Sequence, residues 1–391
     1  ILGMHAKPNN PELLKAQSLQ IPIYSYPQYI YELAKNKIRL VVGGSHGKTT
    51  ITAMIMHVLR YWNYDFDYLV GARLAGFDSS VRLTDEAPIM VIEGDEYLSS
   101  PIDLRPKFHF YKPNFAVLTG IAWDHINVFP TFENYLSQFE VFVNTLPEGG
   151  ILAYYEPDSH LQELVKEAKQ VTLLPYNTHP YENKGDYLSL VTANGGVDVQ
   201  IFGEHNLQNL SGAMLLCKQL GLTDEQFYTA IAQFKGAAKR LELLGKNETT
   251  AVYKDFAHAP SKVTATTKAM QQLQPDKKLV ACFELHTYSS LNKQFLPQYA
   301  HSLAPANEAV VFFNAHTFAI KKLPMLDKNT VKAYFKHPNL TIFTDKNELE
   351  AYLKGINYNN TNLLMMSSGN FGGINLNDIT NFALNKGSSK R

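Results

Sequence analysis

Residues 38–50 read IRLVVGGSHGKTT, an apolar run that passes into a glycine-rich segment with one lysine. The aliphatic residues of 38–42 predict a buried strand, and the apolar residues after Thr49 recur at helical spacing, which predicts an amphipathic helix. A strand, a glycine-rich loop and a helix in this order suit a polyphosphate ligand. Backbone N–H groups can close around the phosphates, and the helix N-terminus favours negative charge.

Each residue type in the loop has a predicted task. We expect Lys48 to reach the β- and γ-phosphates of a nucleotide, and the Thr49 hydroxyl to hold Mg²⁺. Val42 stands where such loops usually have their first glycine, so the segment fits a shorter form, G-x-x-G-K-T-T. The alternative is a glycine-rich turn with an incidental lysine, which the flanking strand and helix disfavour. The predicted phosphate-binding residues are Gly44, Ser45, His46, Gly47, Lys48, Thr49 and Thr50.

Short apolar runs alternate with helical patterns from residue 37 onward, which is typical of βαβ units and mostly parallel sheets. The predicted strands are 38–42, 89–92, 115–118, 251–253, 279–283, 309–313, 340–343 and 363–366. Turns and short strands are predicted at 185–199, and a helix that begins at Asn206. We therefore predict an α/β protein with an N-terminal piece (1–36), a central P-loop-type nucleotide domain (37–235) and a C-terminal α/β domain (236–391).

The composition excludes several classes of protein. Of the 391 residues, 45% are hydrophobic and 18% charged, as in ordinary globular proteins, and the formal net charge is zero. The chain has no global charge to draw it to nucleic acid, and no apolar run is long enough for membrane insertion. Cys217 and Cys282 lie far apart in apolar segments, as free thiols of a reducing compartment do. We expect a cytoplasmic protein.

Polar side chains follow the predicted strands of the central domain. Glu93 comes directly after the strand at 89–92, and His125 lies just past the strand at 115–118. The carboxyl ends of parallel strands meet at one edge of a sheet, where ligands bind. We expect Glu93 and His125 to complete a Mg²⁺ site with Thr49. Taken singly, Glu93 also fits a loop carboxylate, and His125 fits a hydrogen-bonded core histidine.

Three further segments contain candidates for nucleotide binding. Asn206 and Asn209, just after His205, are three residues apart on one helical face, so their amides could bind an adenine edge. A helix cap is the alternative for this segment. Asp255 follows a strand and suits ribose hydroxyls, although it is equally typical of a loop cap. Arg240 is the candidate cation for a γ-phosphate, and alone it would be read as a surface charge.

Together these segments resemble the Mur ligases. The phosphate loop, Glu93, Asp124-His125, the G-x-H-N-x-x-N segment at 203–209, Arg240-Leu241-Glu242 and Asp255–Pro260 occur in the order of that family. The resemblance implies ATP-dependent amide-bond formation through an acyl phosphate, with Lys48, Glu93, His125 and Arg240 as catalytic residues. It implies that His205, Asn206, Asn209, Arg240 and Asp255 join the phosphate loop in binding ATP.

The resemblance also implies three domains: an N-terminal domain for a UDP-sugar, a central ATPase domain and a C-terminal Rossmann-like domain for the amino compound. Residues 1–36 are then a remnant of the first domain, most of which is expected to be missing. Some relatives bind metal through a carbamylated lysine. The corresponding position is Phe139, so that ligand is expected to be absent.

Several segments resemble the branch of the family that recycles murein peptides, which implies UDP-N-acetylmuramate and the tripeptide L-alanyl-γ-D-glutamyl-meso-diaminopimelate as substrates. These segments are 10–12, 21–28, 93–97, 103–108 and 366–373. The segment Glu284–Ser289 departs from that branch, because it lacks an arginine and leans toward the L-alanine-adding enzymes.

The amine substrate is therefore open between the tripeptide and L-alanine, with His258, His286 and Ser289 as candidate substrate-binding residues. A kinase or simple NTPase, and an ATP-binding regulatory protein, are the alternatives outside the ligases.

Overall fold

The segment predicted as a strand before the glycine-rich loop lies in the middle of a parallel sheet, because its side chains are buried on both faces from Arg39 onward. The computed structural model describes residues 1–184, 187–236 and 241–387. These residues divide into two compact units. Unit 1 comprises the described residues of 1–201 and 205–237, and unit 2 those of 202–204 and 238–391.

Helices and strands alternate along unit 1. Its helices are α1 (Pro11–Ser18), α2 (Tyr26–Ala34), α3 (Lys48–Tyr61), α4 (Phe132–Val143), α5 (Ser159–Val165), α6 (Glu204–Gln219) and α7 (Asp224–Ile231). Its strands are β1 (Ile38–Gly43), β2 (Phe66–Leu69), β3 (Val81–Arg82), β4 (Ile89–Glu93), β5 (Leu98–Ser100), β6 (Asp103–Pro106), β7 (Phe115–Leu118), β8 (Ile151–Tyr155), β9 (Thr172–Tyr176), β10 (Tyr181–Asn183), β11 (Leu188–Thr192) and β12 (Gly195–Val199). A 3₁₀ turn lies at Lys107–Phe110.

The main sheet of unit 1 has the order β3-β2-β4-β1-β7-β8-β9. All neighbouring pairs are parallel except β2 and β3. The carboxyl ends of β2, β4, β1 and β7 therefore meet at one edge, and the loops that follow these strands share it. Two smaller sheets, β5-β6 and β10-β11-β12, are antiparallel.

Alternate residues of the central strands face opposite layers of helices. Val41, Met90 and Ala116 belong to a buried cluster that includes Phe139 and Phe142 of α4. On the other face, Gly212 of α6 approaches Val117 and Ile51 of α3. Phe139, the position of the metal-binding lysine in some relatives, is fully buried and packs in this core.

Unit 2 is a second α/β layer structure. Its strands are β13 (Glu242–Lys246), β14 (Thr250–Asp255), β15 (Lys278–Glu284), β16 (Glu308–Phe312), β17 (Leu340–Phe343) and β18 (Thr361–Met366). Its helices are α8 (Pro260–Leu273), α9 (Tyr288–Leu291), α10 (Ala315–Lys321), α11 (Lys328–Phe335), α12 (Lys346–Gly355) and α13 (Leu376–Gly387), with 3₁₀ turns at Leu296–Tyr299 and Phe371–Gly373.

The sheet of unit 2 has the order β13-β14-β18-β15-β16-β17, and only the β13–β14 pair is antiparallel. Cys282 and Val280 of β15 pack with Leu349 and Leu353 of α12 in one buried cluster. Burial raises the pKa of the Cys282 thiol above its ordinary value, which keeps it protonated. The carboxyl ends of β14, β18 and β15 meet at one edge.

The α/β class with large parallel sheets and every strand predicted from the sequence are confirmed, with bounds that differ by at most two residues. Helix α6 begins at Glu204, two residues before the predicted start. Part of the predicted turn at 185–199 lies outside the described residues, as does Arg240. Among the residues that are described, no helix has both the length and the apolar character needed to cross a bilayer.

Candidate active site

The glycine-rich loop joins the end of β1 to the first turn of α3. Gly47, the N-cap of α3, has a φ of 79°, in the left-handed region that favours glycine. A Cβ at Gly47 would overlap the Asn209 amide oxygen, so glycine also allows the close approach of α6. Thr50 is buried in the first turn of α3.

The loop is also fixed from the side of β7. The Ser45 hydroxyl oxygen accepts the backbone N–H of Ala122 at 2.8 Å and lies 2.8 Å from the Tyr135 hydroxyl. The backbone carbonyl of His46 accepts a hydrogen bond from the Thr119 hydroxyl. These bonds fix the conformation of the loop.

Lys48 forms a buried ion pair. Its Nζ lies 2.5 Å from Glu96 Oε2 and donates to the Gly44 carbonyl oxygen at 2.8 Å. Burial alone would raise the pKa of Glu96, but the charge of Lys48 and a hydrogen bond from His125 hold it well below its usual range. Burial also opposes the charge of Lys48, yet Glu96 raises the pKa of Lys48 above its ordinary value. Both groups are therefore charged at neutral pH.

Glu93 and Thr49 are in direct contact. The Thr49 hydroxyl donates to Glu93 Oε1 at 2.7 Å, and the backbone N–H of Gly71 donates to Glu93 Oε2 at 2.7 Å. Glu93 is only 7% exposed, and burial, followed by the charge of Asp95, raises its pKa. A buried carboxylate with a raised pKa is a group that a cation would stabilise.

His125 lies beside two carboxylates, Glu96 and Asp124. Its Nε2 is 3.6 Å from Glu96 Oε1 and 3.9 Å from Asp124 Oδ2. Its backbone has a φ of 54°, and its N–H donates to Asp124 Oδ1 at 2.7 Å. Burial opposes the charged imidazole, but the charge of Asp124 and the contact with Glu96 raise the pKa of His125. The structure thus brings Thr49 and Glu93 together and places His125 against Glu96 and Asp124.

The oxygen atoms of Thr49 and Glu93 are the hard donors that Mg²⁺ prefers. Within the described ranges, no three His, Cys, Asp or Glu side chains cluster so as to hold a metal by themselves. Mg²⁺ commonly uses one or two carboxylates together with substrate phosphates and water, and a hydroxyl–carboxylate pair beside a phosphate loop fits that pattern.

The predicted adenine-binding residues lie at the start of α6. Asn209 Nδ2 is 3.4 Å from Asn206 Oδ1, so the two amides share one helical face. Asn209 is buried next to Gly47, and His205 and Asn206 are half-buried. The N-terminal half of α6 therefore adjoins the phosphate loop through Asn209.

Asp255 is the last residue of β14 in unit 2, and His258 follows it. Asp255 is buried, and its oxygens accept the N–H groups of Leu241 and Ala257, each at 2.6 Å. These bonds are those of a loop cap, the alternative that the sequence offered. His258 Nδ1 lies 2.9 Å from the Phe256 carbonyl oxygen.

A polar edge lies at the neighbouring ends of β15 and β18. Glu284 is buried and accepts hydrogen bonds from the Ser367 hydroxyl and from the Phe371 N–H, the latter at 2.8 Å. Among the described residues, the buried atoms His286 Nδ1 and Ser368 Oγ find no hydrogen-bond partner, and His286 Nδ1 lies 3.8 Å from Glu284 Oε1. Ser289, a predicted substrate-binding residue, is only 4% exposed. Buried polar atoms of this kind are usually paired, so the edge is suited to a polar ligand.

The Mur ligase middle domain matches residues 42–217, which contain the phosphate loop, Glu93, His125 and the start of α6. A curated UDP-N-acetylmuramate–L-alanine ligase of Desulfitobacterium hafniense (strain Y51) is 27% identical over 335 residues, which is 83% of this chain and 72% of the relative. The chain contains the middle domain of the Mur ligase family.

Solved structures of Mur ligases have the same fold. The UDP-N-acetylmuramate–alanine ligase of Thermotoga maritima has a TM-score of 0.68 at 21% identity and covers 99% of this chain and 84% of that one. The murein peptide ligase of Psychrobacter arcticus 273-4 has a TM-score of 0.66 at 21% identity, covering 98% and 85%. Mur ligases are ATP-dependent enzymes of peptidoglycan synthesis that form amide bonds, and this chain is of that class.

Two groups at this ligase's edge escaped the sequence reasoning. Glu96 is the partner of Lys48, and Tyr97 lies between His125, at a ring-centroid distance of 5.3 Å, and Lys107, whose Nζ is 4.0 Å from the Tyr97 ring centroid. The available signal was the run of acids at 93–96 directly after a strand. It shows that carboxylates gather there, but not which of them faces the lysine.

Replacing Gly71 by alanine is expected to slow the ligase by up to about tenfold, because small displacements of reacting groups are costly. A Cβ at Gly71 would lie 3.2 Å from both Glu93 oxygens, so the carboxylate must shift. The measurement is ADP formation as a function of Mg²⁺ concentration. Gly355→Ala, where a Cβ meets nothing within 4 Å, is the matched control. An unchanged Mg²⁺ curve for Gly71→Ala would contradict the expectation.

Proposed function

We propose that this ligase joins the lactyl carboxylate of UDP-N-acetylmuramate to the free amino group of L-alanyl-γ-D-glutamyl-meso-diaminopimelate. The carboxylate oxygen attacks the γ-phosphorus of ATP, and ADP leaves. The peptide amine then attacks the acyl phosphate carbon and loses a proton, and inorganic phosphate leaves as the amide forms. The observation that carries the first step is the buried Lys48 in a strand–loop–helix phosphate site beside the Thr49–Glu93 pair.

The chemistry of the first step brings several anions together. Lys48 would bind the transferring phosphate, and Arg240, outside the described residues, would supply a second cation. Thr49 and Glu93, with His125, would hold Mg²⁺, which would neutralise phosphate charge in the transition state. Asn206 and Asn209 would bind the adenine, with His205 adjoining them, and Asp255 would bind the ribose. Residues 37–235 would then be the ATP-binding domain, and residues 236–391 the domain for the amine.

The tripeptide is supported by the segments that resemble the peptide-recycling branch, among them 366–373. In the structure this segment turns around the buried Glu284. Beside it, Ser368 Oγ and His286 Nδ1 have no hydrogen-bond partner among the described residues. A peptide with several carboxylates and amides offers more partners for such an edge than a single amino acid does. His286 and His258 are the proposed substrate-binding residues. Ser289 is buried, so it would act on the substrate through these two residues.

L-alanine is the second candidate amine. The Desulfitobacterium hafniense relative is named for that substrate, and the sequence His286-Thr287-Tyr288-Ser289 resembles the alanine-adding enzymes. Here Thr287 caps α9 by accepting the Ser290 N–H at 3.1 Å, so at least one residue of this segment has a structural task.

Turnover with purified full-length protein distinguishes the candidates. ATP, Mg²⁺ and UDP-N-acetylmuramate are supplied with either the tripeptide or L-alanine, and kcat/KM for ADP release is compared. A higher kcat/KM with the tripeptide is expected, and a higher value with L-alanine would overturn this choice. ADP release that needs neither acceptor nor amine would indicate an NTPase, and no ADP under any condition would indicate a regulatory protein.

A further inference from the structure

The loop of residues 70–80, which follows β2, reaches the carboxylate at the end of β4. The backbone N–H of Gly71 donates to Glu93 Oε2 at 2.7 Å, although β2 itself carries no residue of the phosphate site. Two residues of extended chain span at most about 7 Å, so the Cα atom of Arg73 lies within that distance of Gly71. Arg73 is thus attached to the edge where the predicted metal-binding carboxylate lies.

The rest of this loop is anchored. Leu74 is buried, and Val70 donates its N–H to the Ser80 carbonyl oxygen at 2.9 Å. The Arg60 guanidinium donates to the Gly76 carbonyl oxygen and lies 5.2 Å from the Phe77 ring centroid. These contacts hold the loop backbone on both sides of Arg73.

Arg73 differs from the other arginines. Its side chain is exposed, and with the residues that the structure describes it makes no hydrogen bond, ion pair or ring contact. Every other arginine there has partners: Arg39 on backbone carbonyls, Arg60 on Gly76, Arg82 on Asp65 and Arg105 on Asp103. A guanidinium with five donors, on an anchored loop next to a phosphate site, is therefore available to an anionic ligand.

The strand order indicates which ligand this is. Across the edge, the loop after β2 comes first, then Glu93 at the end of β4, then the phosphate loop after β1. The predicted adenine-binding amides of α6 adjoin the phosphate loop at Gly47. The nucleotide therefore occupies the β1 side of Glu93, and an anion on the β2 side belongs to the molecule that receives the phosphate.

We propose that Arg73 binds an anionic group, phosphate or carboxylate, of the acceptor substrate and thereby selects the UDP-sugar. The inference rests on the proposed function, since it assumes that the acceptor is UDP-N-acetylmuramate. A guanidinium can form two parallel hydrogen bonds to either anion, so one residue contributes both charge and orientation.

The test is initial-rate kinetics of the full-length protein, with UDP-N-acetylmuramate and ATP varied in turn. Arg73→Gln is expected to raise the KM for UDP-N-acetylmuramate by a factor of about ten to a hundred, as the loss of one charged hydrogen-bonding group does. The KM for ATP should stay within about twofold. Arg73→Lys, which keeps the charge without the fork of donors, should recover part of the loss. Arg105→Gln removes an exposed arginine from the β5–β6 hairpin and should change neither KM.

Equal KM values for UDP-N-acetylmuramate in the Arg73→Gln variant and the unsubstituted protein would overturn the inference and leave the proposed function intact. A rise in the KM for ATP alone would also overturn it, because the arginine would then serve the nucleotide. If the unsubstituted protein neither turns over nor binds UDP-N-acetylmuramate in calorimetry, the proposed function falls and the inference falls with it. Calorimetry with UDP in place of UDP-N-acetylmuramate distinguishes the two anions that Arg73 could bind. UDP retains a contact with the diphosphate, but it has no carboxylate.

Discussion

Lys48→Ala is expected to slow ADP formation by a factor on the order of a hundred or more, because a cation that stabilises the transferring phosphate is removed from a buried site. The measurement is the rate of ADP release by full-length protein with both co-substrates saturating. The variant also leaves Glu96 buried without its partner, and breaking a buried pair in this way costs about 3–5 kcal/mol of stability. The rate must therefore be separated from the fold.

Two controls make that separation. Lys37→Ala breaks another buried pair, Lys37–Asp67, whose atoms lie 2.5 Å apart with side chains 8% and 1% exposed. It should lower the melting temperature like Lys48→Ala but leave the rate of ADP release largely unchanged. The double variant Lys48→Ala/Glu96→Gln removes the orphaned charge and should regain stability without regaining rate. Near-normal ADP release by either Lys48 variant would refute the assignment.

Glu93→Gln is expected to raise the Mg²⁺ concentration needed for half-maximal activity at least about tenfold. Losing a residue that only hydrogen-bonds to a metal ligand already lowers metal affinity by about that factor, and the loss of a ligand itself should cost no less. The same substitution should not lower the melting temperature of the metal-free protein. A carboxyl group whose pKa is raised on folding destabilises the protein above its unfolded-state pKa, where the charged form must be buried. Glutamine removes that charge, so the melting temperature without metal should stay or rise at neutral pH.

Asp67→Asn provides the contrast for Glu93→Gln. Asp67 is a buried carboxylate of the same sheet, paired with Lys37 and hydrogen-bonded to Thr84. Its replacement should lower the melting temperature and leave the Mg²⁺ activation curve in place. An unchanged Mg²⁺ curve for Glu93→Gln would mean that the carboxylate supports the loop through Gly71 and Thr49 without serving a metal.

Eight strands were predicted, because runs such as 89–92 and 279–283 are continuously apolar. The parallel strands β8 and β9 were not predicted. Strand β2 was not predicted either, because Asp67 interrupts its four residues. That aspartate is fully buried next to Lys37, thirty residues away, and it also lies near Arg82 and accepts hydrogen bonds from Thr84. A local pattern contains no information about such a partner.

In the candidate site, too, some features were predictable from the sequence and others were not. Placing Thr49 and Glu93 at one edge needed only the rule that parallel strands end together, and their 2.7 Å contact agrees with it. The contact between Lys48 and Glu96 depends on the conformation of the loop after β4. The left-handed backbone of His125 depends in the same way on the conformation of the loop after β7. A loop conformation results from several weak contacts that act together, and no local sequence pattern predicts these contacts.

The ion pair between Lys48 and Glu96 has a consequence for small anions. With its lysine already neutralised by an internal carboxylate, the loop offers little net charge to inorganic phosphate, which must displace Glu96 with only one or two contacts in return. A triphosphate with its metal ion can offset that exchange through the whole cradle of backbone N–H groups and the Thr49–Glu93 pair. Inorganic phosphate is therefore expected to bind this loop more weakly than a triphosphate does.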